Sequence, residues 1–569
     1  MAAQFSTQGL ANFAWAFAAS DLQNPVFFET FAEEVLQRGL AEFSMQGLSN
    51  ITWSLAVTGR SSKDPLSDRE QELLMAVSEQ MPRKASQFSA QGLANIVWAF
   101  ATATCAQEEP CLQAPAAEVA RSCPEFSLQP ASNTAWAFAV TGQATPAVFG
   151  KLSACLQTIF KSLPERGPET GSSGRRHLAG AASEAIAAVW AFNSAGLLDE
   201  ELAAAAREAL RRTGRELDAG SGQNPSVAGI PLLGGGTATQ LVTRATAGNG
   251  THEQPTVLLN LPDRLVLRKP PGWEVQRDAR DSGHPALGTS GEGQIRQVAD
   301  FLRTILLPRQ FPLVADVLHN CGMIHRLDVP NSGLLLVAKT YEAYYDLALQ
   351  LNSGTVVRDY VVLCHGWLDP ERQAICAPLH WRHGGSAAPS EVSAGRGKPS
   401  RTFLKVLAHL NQNLSGEAFS LVAIRIETGR RHQIRSHTAH IGHPTACDGK
   451  YTSAATFLSD REWCQRNFLH RYRLAFRDSA GRPREVSDPL PEDLVAALTQ
   501  LSSRDGRSEL ARLKWLGEPG DDKESVEWAE LEGLSSSLKT WKAERKAAAQ
   551  NKTCAENNCG YGVVVISVV

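Results

Sequence analysis

Residues 322–339 read "GMIHRLDVPNSGLLLVAK", and the fold of the second half of the chain turns on them. Leu334, Leu335, Leu336 and Val337 form a short apolar block after Ser332-Gly333, bounded by Pro330 and Lys339. Such a block suits a strand covered on both faces. Directly ahead of it, around Leu327, stand His325, Arg326 and Asp328. Charge against a buried strand has two explanations. Either the triplet is a solvated loop at the strand's end, or it holds a carboxylate at the edge of a cleft for chemistry.

The flanking sequence favours the second. "VLLNLPDRLVLRKPPGWEV" from Val257 gives a strand, a turn at Pro270-Pro271-Gly272 and another strand start. From there to about residue 501 strand and helix patterns mix without strict βαβ alternation, which predicts an α+β domain. Within "RIETGRRHQIRSHTAHIGHP" from Arg425, a β-rich stretch ends at the Thr428-Gly429 turn and a helix follows from His432 to Ile441. Arg430, Arg431 and Arg435 therefore gather at a strand-to-helix corner, where anions bind well. Residues 430–484 hold 11 Lys and Arg against 4 Asp and Glu, a surplus of +7 in a chain whose net charge is −3. A phosphate backbone is the natural partner of such a patch, with the outlying Arg471, Arg473 and Arg477 expected on phosphates.

Taken together, HRLD followed by SGLLLVAK, the Arg-x-Tyr of "RDYVVLCHG" from Arg358, and "TGRRHQIRSH" resemble the RluA-type RNA pseudouridine synthases over roughly residues 256–500. Lys269-Pro270-Pro271-Gly272, "FLHRYRLAF" and "DPLPEDL" extend the match. The resemblance implies an α+β fold with a mixed, mainly antiparallel sheet, an RNA partner (rRNA or tRNA), and no metal or cofactor. It places the catalytic carboxylate on Asp328, the active-site aromatic on Tyr360, a partnering guanidinium on Arg435, and a residue that helps extrude the target nucleotide on Arg326. Arg358, Asn331, Arg431 and Cys447 depart from the family's usual Lys, Thr, Thr and Gly. The chemistry needs an ionised carboxylate: desolvation raises an Asp above its usual pKa of about 3.9, and a neighbouring guanidinium such as Arg435 lowers it. A metal site from His437, His440, His443 and Cys447 has tempting spacing, but the family pattern accounts for His437 and His443 without one. A non-catalytic RNA-binding scaffold of organellar RNA processing is the alternative of a different class, and intact Asp328, Tyr360 and Arg435 argue against it. The insert "HWRHGGSAAPSEVSAGRGKPS" from His380 reads as a surface loop.

The first 215 residues are of another kind. "FSTQGLANFAWAFA" from Phe5 recurs as "FSMQGLSNITWSLA" from Phe43, "FSAQGLANIVWAFA" from Phe88 and "FSLQPASNTAWAFA" from Phe126, with a weaker copy, "SEAIAAVWAFNSAG", from Ser183. The spacing of Trp15, Trp53, Trp98, Trp136 and Trp190 falls in the range of helical-pair solenoids. Ser6 is placed to cap a helix and Phe5 with Leu10 to form its hydrophobic staple, repeated by Phe43/Leu48 and Phe88/Leu93. In "NPVFFETFAEEVLQRGL", Phe27, Phe31 and Val35 fall on one face of a second helix. Aromatic residues at helical spacing predict core, and the marker tryptophans are expected there. The copies resemble the octotricopeptide and heptatricopeptide repeats of organellar RNA-processing proteins. That implies a role in RNA recognition, with a protein partner as the other reading.

A Gly- and Ser-rich linker is expected over 216–255, the catalytic domain over 256–501, and a charged helical or disordered tail over 502–569. Eleven Cys without a CxxC pair suit a reducing compartment. No run of 18 apolar residues exists to span a membrane. A chain that opens inside a repeat suggests an N-terminus further upstream, and with it a mitochondrial or chloroplast address; otherwise the expectation is cytoplasmic.

Overall fold

The computed structural model describes residues 4–20, 24–61, 66–103, 110–163, 172–220, 253–276, 296–381, 389–393, 397–517 and 543. Most of the expected linker and the charged stretch of the tail lie outside them. The chain divides into two compact units, over residues 1–209 and 210–538.

The first unit is helical: α1 (Thr7–Ala19), α2 (Pro25–Arg38), α3 (Met45–Ser61), α4 (Asp68–Lys84), α5 (Ala90–Thr102), α6 (Pro110–Ser122), α7 (Leu128–Val140), α8 (Pro146–Ser162), α9 (Ser172–Ala195) and the start of α10 (Glu200–Gly220). Helices α1, α3, α5, α7 and α9 pack on one another in order, and α2, α4, α6 and α8 do the same. Each copy of the repeat opens its helix as its sequence requires. Ser6, Ser44 and Ser89 each accept the backbone N–H three residues on, at 3.1 Å. Ser127 makes no such bond, because the residue three on is Pro130, which has no N–H to donate. Small residues set the close approach of neighbouring helices. Ser49 Oγ donates to Gly92 O at 3.2 Å across one junction, and Ser132 Oγ to Glu184 O at 2.8 Å across another.

On α2, Phe28, Phe31 and Val35 are fully buried and Phe27 is half-buried. One expectation fails here: the marker tryptophans are not core. Trp15 is 48% exposed, and Trp53, Trp98, Trp136 and Trp190 are half-buried. The phenylalanines two residues further on, Phe100, Phe138 and Phe192, occupy the interior instead. Periodicity fixes which residues share a face, not which face is covered.

The second unit is built on a ten-stranded sheet. Its strands, in chain order, are β1 (Thr256–Asn260), β2 (Arg264–Lys269), β3 (Trp273–Glu274), β4 (Arg296–Gln297), β5 (Ser332–Ala338), β6 (Val357–His365), β7 (Ala374–Cys376), β8 (Leu379–His380), β9 (Glu391–Val392), β10 (Arg401–Gln412), β11 (Ala418–Ile426), β12 (Leu469–Arg477), β13 (Pro483–Ser487) and β14 (Leu501–Ser503). The order across the main sheet is β1-β2-β5-β12-β6-β11-β10-β14, with β13 on β12 and β7 on β10; β3/β4 and β8/β9 pair separately. Every pairing in the main sheet is antiparallel except β5 with β12. The mixed, mainly antiparallel α+β sheet domain is therefore present. Its helices are α11 (Val298–Ile305), α12 (Tyr341–Asn352), α13 (Gln433–His440), α14 (Ala454–Arg461), α15 (Glu492–Thr499) and α16 (Gly506–Leu516).

Alternation along β11 sends Val422, Ile424 and Ile426 to one core and Phe419, Leu421 and Ala423 to the other, so both faces of the sheet are covered. All seven residues of β5 are buried, as the apolar block predicts. The domain extends beyond 501: α16 packs on β10 and β14, and Trp515 stands edge-on to Tyr472 at 5.0 Å. The beginning of the expected tail thus belongs to the core. The expected linker start at 216 likewise falls inside α10, whose Leu217 is buried.

Gly333 is where β5 meets β12. It has φ +122°, and a Cβ there would lie 2.3 Å from Arg471 O and 2.6 Å from Arg471 N. Neither backbone strain nor backbone overlap can be relieved by moving a side chain. Gly333→Ala should therefore destabilise this unit by at least about 3 kcal/mol, read as a fall in its thermal midpoint against the unchanged helical unit.

Candidate active site

The loop carrying Asp328 is tied down at both ends. Met323 bridges Val337 of β5, Ile324 N–H donates to Leu336 O at 3.3 Å, and Asn331 N–H donates back to Asp328 O at 3.1 Å. From the side, the turn after β2 grips Val329 O through Gly272 N–H at 2.9 Å and the Lys269 ammonium at 3.2 Å. Lys269 also reaches Pro270 O and Trp273 O at 3.0 and 2.8 Å, and burial pushes its pKa down to about 7.

The Asp328 side chain is 15% exposed. Arg435 Nη1 donates to Asp328 Oδ2 at 3.1 Å. That guanidinium is aimed by Asp448, a fully buried carboxylate that accepts from Arg435 Nε at 2.7 Å and Nη2 at 2.6 Å. The Tyr451 ring lies 5.2 Å from the same guanidinium carbon. His432, at the start of α13 with φ +52°, brings Nε2 to 3.9 Å from Asp328 Oδ2, while Nδ1 is 3.1 Å from the Tyr451 hydroxyl.

Burial on its own would raise the Asp328 pKa, but the neighbouring cations outweigh it and the net displacement is downward. Burial also drives His432 down to about 4, helped by Arg435, Lys450 and Arg431 and opposed by Asp328. His432, once protonated, is the first of the cations that lower the Asp328 pKa, ahead of Arg435 and Arg326; at pH 7, where the imidazole is neutral, Arg435 and Arg326 are the charges left beside the carboxylate. Arg326 is exposed beside the carboxylate's loop.

Tyr360 lies on β6, 3% exposed. Arg471 of β12 ties it to the loop that carries Asp328. Arg471 donates to the Tyr360 hydroxyl, sits 4.8 Å from the Tyr360 ring centre, and donates to Arg326 O at 3.1 Å and Leu334 O at 2.8 Å. His325 Nδ1 is 2.7 Å from it. With 1% exposure, Arg471 braces the Asp328 loop instead of meeting phosphates. Arg473 is likewise committed, to Asp359 and Glu485 at 2.8 Å each, and Arg477 donates to Gly481 O at 2.9 Å. The +7 surplus overstated the free charge because it counted residues without their partners.

Arg358 is buried under the Thr428-Gly429 turn, donating to Glu427 O at 3.0 Å, and a Cβ on Gly429 would lie 2.9 Å from its Nη1. The insert after β8 does more than cover surface. Its Ser390 N–H donates to the Tyr451 hydroxyl at 2.7 Å, and Ser390 O accepts from Ser436 Oγ of α13 at 3.1 Å. Nothing in its Gly- and Ser-rich composition signals this docking.

Two of the three histidines weighed as metal ligands are engaged otherwise, His437 with Thr402 Oγ1 and Ala377 O and His443 with His365 O, while His440 is exposed. Among the described residues, His365, Glu417 and Asp460 are close enough to share an ion. There the imidazole already uses both nitrogens, Nδ1 to Glu417 at 3.0 Å and Nε2 to Asp460 at 2.9 Å, which is the geometry of an imidazolium between two carboxylates. No described helix is long and apolar enough to cross a membrane.

A family model described as RNA pseudouridylate synthase matches residues 263–440, the span that holds Asp328, Tyr360 and Arg435. Over 271 residues, 46% of this chain and 71% of the relative, the sequence is 30% identical to ribosomal large subunit pseudouridine synthase D of Nitrosomonas europaea. It is also 30% identical over 253 residues to the uncharacterized RNA pseudouridine synthase YlyB of Bacillus subtilis, covering 42% of this chain and 70% of that one. Among solved structures, human RNA pseudouridylate synthase domain containing 1 aligns with a TM-score of 0.33 and 24% identity, over 48% of this chain and all of that chain.

Proposed function

Because the chain belongs to the RNA pseudouridine synthase family, we propose that its second unit isomerises particular uridines in RNA with Asp328 as the catalytic carboxylate. The reaction breaks the bond from uracil N1 to the ribose, turns the base, joins C5 to the same ribose carbon and removes the C5 proton. No electrons are gained or lost. The step calls for a carboxylate as nucleophile or base. The observation that carries the reading is the Asp328–Arg435–Asp448 relay: a partly exposed carboxylate beside a guanidinium that a buried acid holds in place.

The remaining roles follow from position. Arg326, exposed next to Asp328, meets the strand from which the nucleotide is withdrawn. Unstacking a uridine costs a few kcal/mol, and contact with the Tyr360 ring away from Arg471 returns about 1–3 kcal/mol. Ribosomal RNA is the favoured substrate class, supported by the named relatives that act on the large ribosomal subunit, with tRNA second. The first unit is read as a helical-repeat solenoid of the octotricopeptide or heptatricopeptide type, supported by its order of helix packing.

The test is tritium release. The full chain, incubated with ribosomal RNA labelled at uridine C5, should liberate tritium into water in proportion to pseudouridine formed. Failure to release it from either ribosomal or transfer RNA would overturn the assignment.

A further inference from the structure

The misplaced tryptophans are one element of a larger pattern. In the four strong repeats a glutamine, an asparagine and a tryptophan recur at relative positions 0, 4 and 7: Gln8, Asn12, Trp15 on α1; Gln46, Asn50, Trp53 on α3; Gln91, Asn95, Trp98 on α5; Gln129, Asn133, Trp136 on α7. That spacing puts each triplet on one stripe of its helix. All twelve residues are exposed or half-buried, and since these four helices pack side by side in order, the stripes form a ladder. Adjacent rungs touch at Trp15 and Trp53, with ring centres 6.4 Å apart, and Gln91 Nε2 donates to Asn95 Oδ1 at 3.0 Å within a rung.

The chemistry of the ladder is amide and indole: α1, α5 and α7 carry no Lys or Arg, and α3 carries one, Arg60, near its C-terminal end, beyond the Gln46-Asn50-Trp53 rung. Around it the charge is negative. Residues 1–209 hold 13 Lys and Arg against 21 Asp and Glu, a net −8, more than the −3 of the whole chain. Glu42 and Glu125 stand exposed in the turns that open α3 and α7. A nucleic-acid backbone needs cations to release its counterions, so this unit is ill suited to the RNA recognition that its repeats suggest.

We propose that the ladder binds an extended polypeptide segment carrying Lys or Arg at about every third residue. Helices in contact through small residues lie about 8–10 Å apart, and a polyproline II chain advances about 9 Å in its three-residue turn, so one side chain faces each rung. An extended chain of that kind leaves its N–H and C=O groups unpaired, and Gln and Asn amides supply both a donor and an acceptor to meet them. The indoles offer their faces to the cationic side chains, and the acidic unit attracts them at longer range.

The probes are fluorescein-labelled 15-residue peptides, (Lys-Pro-Ala)5 and (Glu-Pro-Ala)5, and labelled oligouridine of 15 nucleotides, titrated against the full chain by anisotropy. The lysine peptide should bind at least tenfold more tightly than the glutamate peptide. Asn95→Ala with Asn133→Ala should weaken it at least fivefold, and Gln46→Ala with Gln91→Ala, at exposed positions that the fold does not need, should weaken it in the same sense. Both double variants should leave oligouridine binding and uridine isomerisation unchanged. Lysine-peptide affinity indifferent to both double variants would overturn the proposal, as would an absence of peptide binding. Loss of oligouridine binding in either variant would assign the face to RNA and refute it.

Discussion

Asp328→Asn should abolish isomerisation, with a fall of at least about 10³-fold in the single-turnover rate, while RNA affinity stays within a few-fold of the parent. The carboxamide keeps the size of the side chain and retains an oxygen to accept from Arg435 Nη1, which now lies 3.1 Å from Oδ2. What it loses is charge and nucleophilicity. The loop itself should not move, because its anchors are Met323, Ile324 and Val329 and not the Asp328 side chain. Tritium release by the Asn variant at more than a few per cent of the parent rate would remove Asp328 from the chemistry. A matching fall in RNA affinity would mean that the carboxylate organises the cleft instead of acting in it.

Arg435→Gln should be nearly as damaging, and by two separable routes. It leaves Asp448, which is fully buried, without its two strongest donors; removing one partner of a buried ion pair costs about 3–5 kcal/mol, so the thermal midpoint of the second unit should drop. It also takes away the nearest fixed positive charge from Asp328. Burial, no longer opposed by that guanidinium, then moves the carboxyl upward from its present position below the ordinary aspartate range. The sign is definite: a lowered pKa keeps the acid limb of the rate profile below the usual carboxylate range, and the variant's acid limb should shift to higher pH. The check is the single-turnover rate against pH at a temperature where both proteins are folded. An acid limb that stays put, despite a slower rate, would show that Arg435 contributes only to stability.

Much of the catalytic unit was legible because its signals are local. The apolar run at 334–337 is a buried strand in any context that can cover it, and the Thr428-Gly429 turn followed by a helix puts Arg435 at a strand-to-helix corner; its pairing with Asp328, 107 residues away, came only from the family resemblance. Arg471 was misjudged for the opposite reason. Its meaning depends on Tyr360 and Leu334, which lie 111 and 137 residues away in the chain, and a count of charges along the sequence cannot register them. The Trp residues of the repeat were misjudged because a helix stripe carries no label for inside or outside. The alanines and phenylalanines beside them fill the interior, and Asn, three residues before each Trp, is the signal that the stripe is wet. Asp448, next to Cys447, carries no local signal; that it aims Arg435 follows from a bidentate geometry that spacing does not encode.

The parallel meeting of β5 and β12 has a consequence for when the enzyme comes into being. Ser332 Oγ and His470 Nδ1, 2.9 Å apart, are separated by 138 residues, and Arg471, which clamps the Asp328 loop and Tyr360 together, arrives on the same late strand. A ribosome making this chain releases the carboxylate, the tyrosine and Arg435 well before the strand that seats the first two. Contacts so distant along the chain form slowly, and here the central strand of the sheet is among the last to be made. Until β12 pairs with β5 and β6, the growing polypeptide lacks the strand that braces the Asp328 loop. A nascent or C-terminally clipped chain holds the chemical groups of the site without its alignment.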